Sequence, residues 1–194
     1  MRFFSFVGLI AALLIGGAPA GGVPTVAAAD GAWLDVPVAA PWNTAGADLP
    51  VAQAPQLPLD ERVVARERQP ETPEEEALVG RGWRLIAAAQ TGWGVRVVQA
   101  TGGYDGMGRP LQYQAFVFVD GAFAGTLAPL PMDSRTDGAL DGFDLDGGDA
   151  LRATFRRYAT PDPLCCPSSR STVQFRVERL TAGPVVVPVT TEAQ

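Results

Sequence analysis

The chain has 194 residues, and all 15 of its basic residues are arginine because it contains neither lysine nor histidine. Without histidine there is no Ser-His-Asp or Cys-His nucleophile and no histidine-based metal site, and without lysine there is no Schiff-base amine and no P-loop lysine. The net charge of −6 argues against a nucleic-acid partner, since nucleic-acid binding requires a basic face.

The first residues have the composition of a secretion signal. Arg2 precedes an uncharged apolar run from Phe3 to Ile15, and small residues follow as far as Ala20. The run is shorter than the about 20 apolar residues that a membrane helix requires, so we expect cleavage rather than a retained anchor. The sequence predicts a signal peptide at residues 1–20, with Ala29 as a competing cleavage site, and no integral membrane span after cleavage. The protein is then exported to the periplasm, the cell surface or the medium.

Residues 21–58 are dominated by Ala, Pro, Gly and Val without periodicity, which predicts a linker. Trp33 and Trp42 are unusual in a linker. We expect their rings to dock onto the folded domain, and ligand capture by them is the alternative. The folded domain is predicted at residues 59–190, and residues 191–194 form a tail.

Residues 60–82 predict a helix in two pieces that Pro70 separates. The second piece has the clearer start, with Thr72 as N-cap and Glu75 completing a capping box. Three consecutive glutamates then occupy the first turn, where the helix dipole favours negative charge. We interpret this acidic run as a helix cap rather than a metal site.

Hydrophobicity alternates with period two after Trp83, which is typical of strands. The pair Asp120-Gly121 between two such runs indicates a two-residue hairpin. The sequence predicts an α+β fold: an N-terminal helix followed by a mainly antiparallel sheet, a meander of about six to seven strands. Eight segments are the candidates for these strands: residues 83–86, 95–100, 111–119, 123–127, 139–145, 150–158, 171–178 and 185–189.

Acidic residues in the C-terminal half raise the question of calcium or catalysis. The segment has five aspartates, Asp137, Asp141, Asp144, Asp146 and Asp149, but lacks the closing glutamate and flanking helices of an EF-hand. Aspartate and glycine also form turns, which we favour. Two carboxylates suffice for glycoside hydrolysis, yet no spacing here distinguishes such a pair. We therefore expect no catalytic residues, no metal and no cofactor.

Cys165 and Cys166 are adjacent, they are the chain's two cysteines, and the predicted compartment is oxidising. Neighbouring Cα atoms lie about 3.8 Å apart across a trans peptide, below the usual disulfide span of about 4.4–6.8 Å, so a bond between them closes a tight ring. Pro163 and Pro167 flank the pair and favour an extended backbone in the residues before them, so we expect a rigid, exposed loop. Three states are open: a vicinal disulfide, which we favour because exported thiols oxidise, two free buried thiols, or pairing with another chain.

The sequence around this pair, Asp162-Pro163-Leu164-Cys165-Cys166-Pro167 followed by the strand at residues 172–176, resembles the C-terminal signature of the LppP/LprE family of bacterial envelope lipoproteins. The segment from Tyr104 to Pro110 and the hairpin from Tyr113 to Gly125 are similar to the same family, so the resemblance covers about residues 72–178. It implies an envelope location and no established activity. The family's N-terminal acylated cysteine has no counterpart here, so lipid attachment does not carry over. Some members carry further cysteines, one near the position of Gly108. Pairing of those with the Cys-Cys motif would leave the two thiols here without partners.

These observations predict an exported envelope protein that acts as a non-catalytic binding or structural module for an unidentified envelope ligand or protein. Its oligomeric state is open. One alternative is a carboxylate-dependent hydrolase of envelope carbohydrate, which a cleft with two facing carboxylates would favour. A second is a redox-responsive module that uses Cys165 and Cys166. An aromatic-rich surface would favour binding.

Overall fold

The computed structural model describes residues 31–53, 58, 60–64 and 67–194. The signal peptide predicted at residues 1–20 and both of its cleavage sites therefore lie outside the described residues. Within the described ranges, no helix is long and apolar enough to cross a membrane.

The described part of the chain is built mainly from antiparallel β-strands. A 3₁₀ turn at Ala32–Leu34 comes first, followed by two short helices, α1 (Glu61–Val64) and α2 (Pro73–Gly80). The strands, in chain order, are β1 (Arg84–Leu85), β2 (Gln90–Gly92), β3 (Val95–Thr101), β4 (Gly103–Tyr104), β5 (Pro110–Leu111), β6 (Gln114–Val119), β7 (Ala122–Thr126), β8 (Leu140–Gly147), β9 (Ala150–Arg157), β10 (Ser169–Leu180) and β11 (Gly183–Ala193).

These strands form two principal sheets and a small ribbon. The first sheet is five-stranded, with the order β1-β3-β6-β7 and with β2 also paired to β3. The second sheet is four-stranded, with the order β11-β10-β9-β8, and β4 pairs with β5 alone. Every pairing is antiparallel. The predicted mainly antiparallel architecture is therefore confirmed.

The core lies between the two principal sheets. Val117 from β6, Phe155 from β9 and Phe175 from β10 belong to one buried cluster, each with 2% or less of its surface exposed. Strand β6 is buried on both faces, because its alternate residues Phe116 and Phe118 enter a second cluster with Leu78 of α2. Helix α2 thus covers the outer face of the first sheet, which explains why β6 is apolar on both of its sides.

Two parts of the fold prediction are wrong in detail. The helix lies in the middle of the chain rather than at the N-terminus of the fold, and the described strands outnumber the predicted six to seven. The additional strands β2, β4 and β5 have two or three residues each, too few to show a period of two. Helix α1 has only four residues. So short a helix adds little stability of its own, because forming the first helical turn is costly.

The hairpin predicted at Asp120-Gly121 joins β6 to β7. Both residues have positive φ, 50° for Asp120 and 84° for Gly121. Two consecutive left-handed residues are the signature of a type I′ turn, whose twist matches that of the flanking strands. The sequence prediction of this turn is confirmed.

Candidate functional site: a cavity beneath the N-terminal strap

Residues 31–53, named here the N-terminal strap, pack across the sheets although they contain no strand. Leu34 is buried in the main core, and Trp33 and Trp42 pack against it. The ring centroids lie 4.9 Å apart for Trp33 and Phe155 and 6.0 Å apart for Trp42 and Phe175, in edge-to-face geometry. The two tryptophans therefore dock onto the folded domain, as expected.

Asn43 attaches the strap to both sheets at once. Its Nδ2 donates hydrogen bonds to the carbonyl oxygens of Thr126 on β7 and Val186 on β11, each over 2.9 Å. Its Oδ1 accepts a third bond, also 2.9 Å, from the Thr126 N–H. Gly125 makes room for this side chain, since a Cβ on Gly125 would collide with Asn43, and its φ of +127° disfavours any other residue.

Two indole N–H groups also attach the strap to the rest of the fold. Trp42 Nε1 donates to the carbonyl oxygen of Thr126 over 3.0 Å, and Trp83 Nε1 donates to that of Pro50 over 2.8 Å. The Ala52 N–H donates to the carbonyl oxygen of Arg81 over 2.9 Å. Between these anchors, Gly46 lies against Ala182 and Gly183 at the turn between β10 and β11, so the strap contacts both sheets along its length.

A cavity of about 380 Å³ lies between this part of the strap and the first sheet. That volume falls within the range of small-molecule sites, about 300–1,000 Å³. Every described side chain in the lining is uncharged: the strap contributes Trp42, Thr44 and Gln53, and the sheet side contributes Gln112, Gln114 and Phe123. Pro50, Pro129 and Pro131 complete the apolar wall. We call this space the strap cavity.

Gln114 is the polar residue most deeply placed in the lining. It is 3% exposed, and its Nε2 donates to the carbonyl oxygen of Ala128 over 2.9 Å, which fixes the orientation of the amide. Its Oε1 is buried with no hydrogen-bond partner among the described residues, and the same holds for Oε1 of Gln112. Because both oxygens are buried, a ligand in the cavity does not reach them, and each is a local cost of about 1–3 kcal/mol to the packing of this region.

Glu75 is the most perturbed carboxylate among the described residues. It is completely buried and accepts hydrogen bonds from Arg68 (2.8 and 2.9 Å), Arg96 (2.6 Å) and the Glu71 N–H (2.8 Å). The bonds from Arg68 contribute most, and together with those from Arg96 and Glu71 they outweigh burial and lower the pKa of Glu75 from 4.5 to about 2. The carboxylate is therefore ionised at neutral pH, and both of its oxygens accept hydrogen bonds.

The predicted capping box does not form. Thr72 is the N-cap residue of α2, but its side chain makes no capping hydrogen bond, and Glu75 bonds to the N–H of Glu71 rather than to that of Thr72. Two arginines draw the Glu75 carboxylate away from the box geometry. The first turn is nevertheless acidic and begins with proline, as predicted.

The aspartates considered for calcium are paired with arginines instead. Asp141 accepts from Arg156 and Arg170, each over 2.8 Å, and its pKa is lowered chiefly by the Arg170 hydrogen bond. The other four pair similarly: Asp137 with Arg157, Asp144 and Asp146 with Arg152, and Asp149 with Arg179. In the ranges that the structure describes, no three potential metal ligands cluster. Asp141, Asp144 and Asp146 lie within β8 rather than in turns.

Cys165 and Cys166 form a vicinal disulfide, with their Cα atoms 3.8 Å apart. Both residues are exposed. The loop that carries them is organised by Asp162, whose carboxylate accepts from the N–H groups of Ala159 (2.7 Å) and Ser168 (2.9 Å). Backbone hydrogen bonds to this carboxylate hold the pKa of Asp162 below its usual value. The cysteines, the one site that sequence reasoning singled out, do not line the strap cavity.

Sequence reasoning missed the strap cavity. Gln114 is visible in the sequence as a polar residue in an apolar run, two residues before Phe116 and on the same face of β6. Gln112 lies just before this strand, in a left-handed conformation (φ 52°). The position of Gln114 could have indicated a buried amide. The strap that encloses it is distant in sequence, and no local pattern links the two.

Comparison with known proteins identifies one family. The sequence model of the LppP/LprE lipoprotein family matches residues 92–179, which confirms the resemblance seen in the sequence. The match runs from the end of β2 to β10, so it includes Gln112, Gln114 and Phe123, whereas the strap lies outside it. No curated protein and no solved structure is similar enough to this chain to count as a match.

Proposed function

We propose that this chain, whose residues 92–179 carry the LppP/LprE lipoprotein family domain, is an exported envelope protein that binds a small uncharged ligand in the strap cavity without transforming it. The observation that carries the proposal is the cavity of about 380 Å³ between the strap and the first sheet, whose described lining is uncharged and includes Trp42, Trp83 and Phe123. The family match supports an envelope location, and the signal-like N-terminus supports export.

The state of the carboxylates favours binding over hydrolysis. A glycoside hydrolase requires a carboxylic acid whose pKa is raised, so that it can donate a proton at neutral pH. Among the described carboxyl groups with a resolved shift, the pKa of each is lowered: Glu75, Asp105, Asp141 and Asp162. Each accepts hydrogen bonds from arginines or backbone N–H groups. Carboxylates held in this way stabilise the fold rather than supply a general acid.

The contacts of the loop that carries the disulfide also favour the strap cavity, rather than this loop, as the functional site. Asp162 bonds to Ala159 and Ser168, and the hydroxyl of Tyr158 donates to the carbonyl oxygen of Leu164 over 3.1 Å. These contacts remain within residues 158–168. A redox response of Cys165 and Cys166 would need a second element to move, and these contacts supply local order only. We therefore propose a structural role for the disulfide.

Native mass spectrometry of the protein purified from its own envelope tests the proposal. Ala47 is exposed on the strap and lines the cavity, so Ala47→Trp should fill the cavity from outside without disturbing the core. The wild-type protein is expected to retain a non-covalent adduct that Ala47→Trp lacks. Ala77→Trp, at an exposed position of α2, serves as the control and should retain it.

Two results would contradict the proposal. An adduct that survives in Ala47→Trp would place the ligand elsewhere. Release of reducing sugars from envelope saccharides by the wild-type protein, abolished by substitution of a single carboxylate, would favour the hydrolase instead.

A further inference from the structure

We propose that the end of the two sheets at which Trp93 lies is a docking surface for a basic segment of a partner protein, with a lysine or arginine side chain of that segment over the Trp93 indole. This surface is separate from the strap cavity, because Trp93 does not line the cavity. The exposure of Trp93, its backbone conformation and the charge around it support the proposal in turn.

Trp93 is the tryptophan whose side chain is left largely in solvent. Its exposed fraction is 64%, whereas Trp83 is 3% exposed and both Trp33 and Trp42 pack against the main core. The edge of the Trp93 ring lies on β8, where its Cζ2 is 3.7 Å from the position that a Cβ on Gly147 would take. Exposed tryptophans with one edge supported in this way are frequent anchors of protein interfaces.

The backbone holds Trp93 in a conformation that other residues adopt at lower cost. Trp93 and Gly94 form the turn between β2 and β3, and their φ angles are 52° and 76°. Two consecutive positive φ values are the signature of a type I′ turn, whose first position favours asparagine, aspartate or glycine. A bulky residue with positive φ is an outlier. The stability of the turn therefore does not account for a tryptophan at this position.

Contacts bring two further turns to the same end of the sheets. The Asp120 N–H, in the turn between β6 and β7, donates to the carbonyl oxygen of Gly94 over 2.8 Å. Arg179, near the end of β10, pairs with Asp120 and also with Asp149 in the turn between β8 and β9. Trp93 therefore projects from a group of turns that are bonded to one another, which gives a partner a preformed surface.

Carboxylates outnumber arginines at this end. The aspartates and arginines of the turns and of the hairpin from β8 to β9 are Asp120, Asp144, Asp146, Asp149, Arg152 and Arg179. Each of the two arginines is shared between two aspartates. Glu74 is a fifth carboxylate, since its Oε1 lies 3.5 Å from the position that a Cβ on Gly121 would take, beside Asp120. Five carboxylates against two arginines leave a net charge of −3, half of the −6 of the whole chain.

This charge selects a cationic partner. Lysine and arginine side chains are attracted to the face of a tryptophan ring, and the Asp120 side chain, 71% exposed, is available to pair with them. An anionic lipid surface would be repelled, and so would a second copy of this chain with its charge of −6. A basic segment of another protein satisfies both the aromatic ring and the carboxylates.

Titration followed by ¹⁵N–¹H NMR tests this partner class. The probes are the capped peptides N-acetyl-pentalysine amide and N-acetyl-pentaarginine amide, with N-acetyl-pentaglutamate amide as the charge-reversed control and cellotriose as an uncharged ring ligand. Each is added at about 20 mM salt, where surface charges are weakly screened. The Trp93 indole N–H is the reporter, and the indoles of Trp33, Trp42 and Trp83, which pack inside the fold, are the internal controls.

At least one basic peptide should shift the Trp93 signal saturably and leave the other three indoles unchanged, with a Kd that rises when the salt is raised to about 150 mM. Trp93→Asn, followed through the backbone N–H of Gly94, should raise the Kd about 5- to 30-fold, the effect of losing an interface anchor. The same variant should raise the urea midpoint of unfolding, because asparagine suits the turn.

Asp120→Asn removes one charge and keeps a residue that suits its own type I′ turn, so it should fold and raise the Kd about 2- to 5-fold. Glu192→Gln is the matched control for charge. Glu192 is exposed on β11, nine residues beyond Gly183 at the start of that strand, which is about 30 Å along it. This variant should leave the Kd unchanged.

Four outcomes would overturn the proposal. Neither basic peptide shifts Trp93, the glutamate peptide shifts it as strongly, Trp93→Asn binds a basic peptide as tightly as wild type does, or Glu192→Gln weakens binding as much as Asp120→Asn. A saturable response of Trp93 to cellotriose without any response to a basic peptide would also refute the proposal, and would assign the surface to a saccharide instead.

Discussion

The buried cluster around Glu75 yields the most quantitative prediction. Replacement by glutamine removes the charge that faces Arg68 and Arg96, whose side chains are 21% and 23% exposed. The fall in the pKa of Glu75 from 4.5 to about 2 corresponds to about 3 kcal/mol, at about 1.4 kcal/mol for each tenfold change in proton affinity. Breaking a buried ion pair by removing one partner costs a similar amount, about 3–5 kcal/mol. Glu75→Gln should therefore lower the free energy of unfolding by about 3 kcal/mol at neutral pH.

The same cluster makes this loss depend on pH. Because the pKa of Glu75 is lower in the folded state than in the unfolded chain, its contribution is complete above about 4.5 and disappears as the pH falls through about 2. The difference in unfolding free energy between wild type and Glu75→Gln should shrink across this window.

Urea unfolding followed by tryptophan fluorescence measures both effects. Glu76→Gln is the matched control, since Glu76 is exposed on the same helical turn, and it should stay within about 0.5 kcal/mol of wild type. A cost below about 1 kcal/mol for Glu75→Gln at neutral pH would show that the ion pairs with Arg68 and Arg96 do not stabilise the fold as described. A difference between wild type and Glu75→Gln that is as large at pH 2 as at pH 7 would contradict the lowered pKa of Glu75.

The remaining predictions concern the strap and the disulfide. Asn43→Ala removes three hydrogen bonds and should lower the free energy of strap opening by about 2–3 kcal/mol, seen as faster proteolysis within residues 31–53. An unchanged cleavage rate would show that Asn43 does not hold the strap. Gly125→Ala should cost about 1–3 kcal/mol in urea unfolding because of its positive φ and the clash with Asn43, whereas Gly142→Ala, with no neighbour within 4 Å, should cost under about 0.5 kcal/mol. Equal costs would contradict this account of Gly125. Reduction of the Cys165–Cys166 disulfide should leave the urea midpoint nearly unchanged, because the bond closes almost no chain; intact mass after alkylation without reductant should show no modified thiol, and two modified thiols would exclude the bond.

The strands could be predicted from the sequence because their signals are local. The alternating pattern predicted eight segments that correspond to β1, β3, β6, β7, β8, β9, β10 and β11, and the Asp120-Gly121 pair fixed the turn between β6 and β7. The short strands β2, β4 and β5 escaped prediction, since tertiary pairing rather than sequence period defines them. Local patterns therefore determine the sheets, and only the short connecting strands depend on the assembled fold.

The role of Glu75 could be predicted only in part. The sequence places Glu75 three residues after Thr72, the spacing of a capping box. The structure brings Arg96 from β3 and Arg68 from the preceding loop to the same carboxylate, and charged partners outcompete a neutral backbone N–H for it. The two arginines are 7 and 21 residues away from Glu75 along the chain, so no local sequence motif predicts these ion pairs.

The cavity was beyond prediction for a similar reason. Asn43 and Thr126 are separated by 83 residues, and an Ala/Pro-rich composition predicts a linker even where tryptophans hold it against a sheet. The unpaired Oε1 of Gln114 emerges only when each buried donor and acceptor is matched with its partner in the structure.

Native mass spectrometry of the wild-type protein beside Ala47→Trp tests the central claim most directly. Wild-type protein from its own envelope is expected to carry a non-covalent adduct, and Ala47→Trp, folded to the same extent, is expected to carry none. A wild-type protein without any adduct, or an adduct that both proteins retain equally, would contradict it.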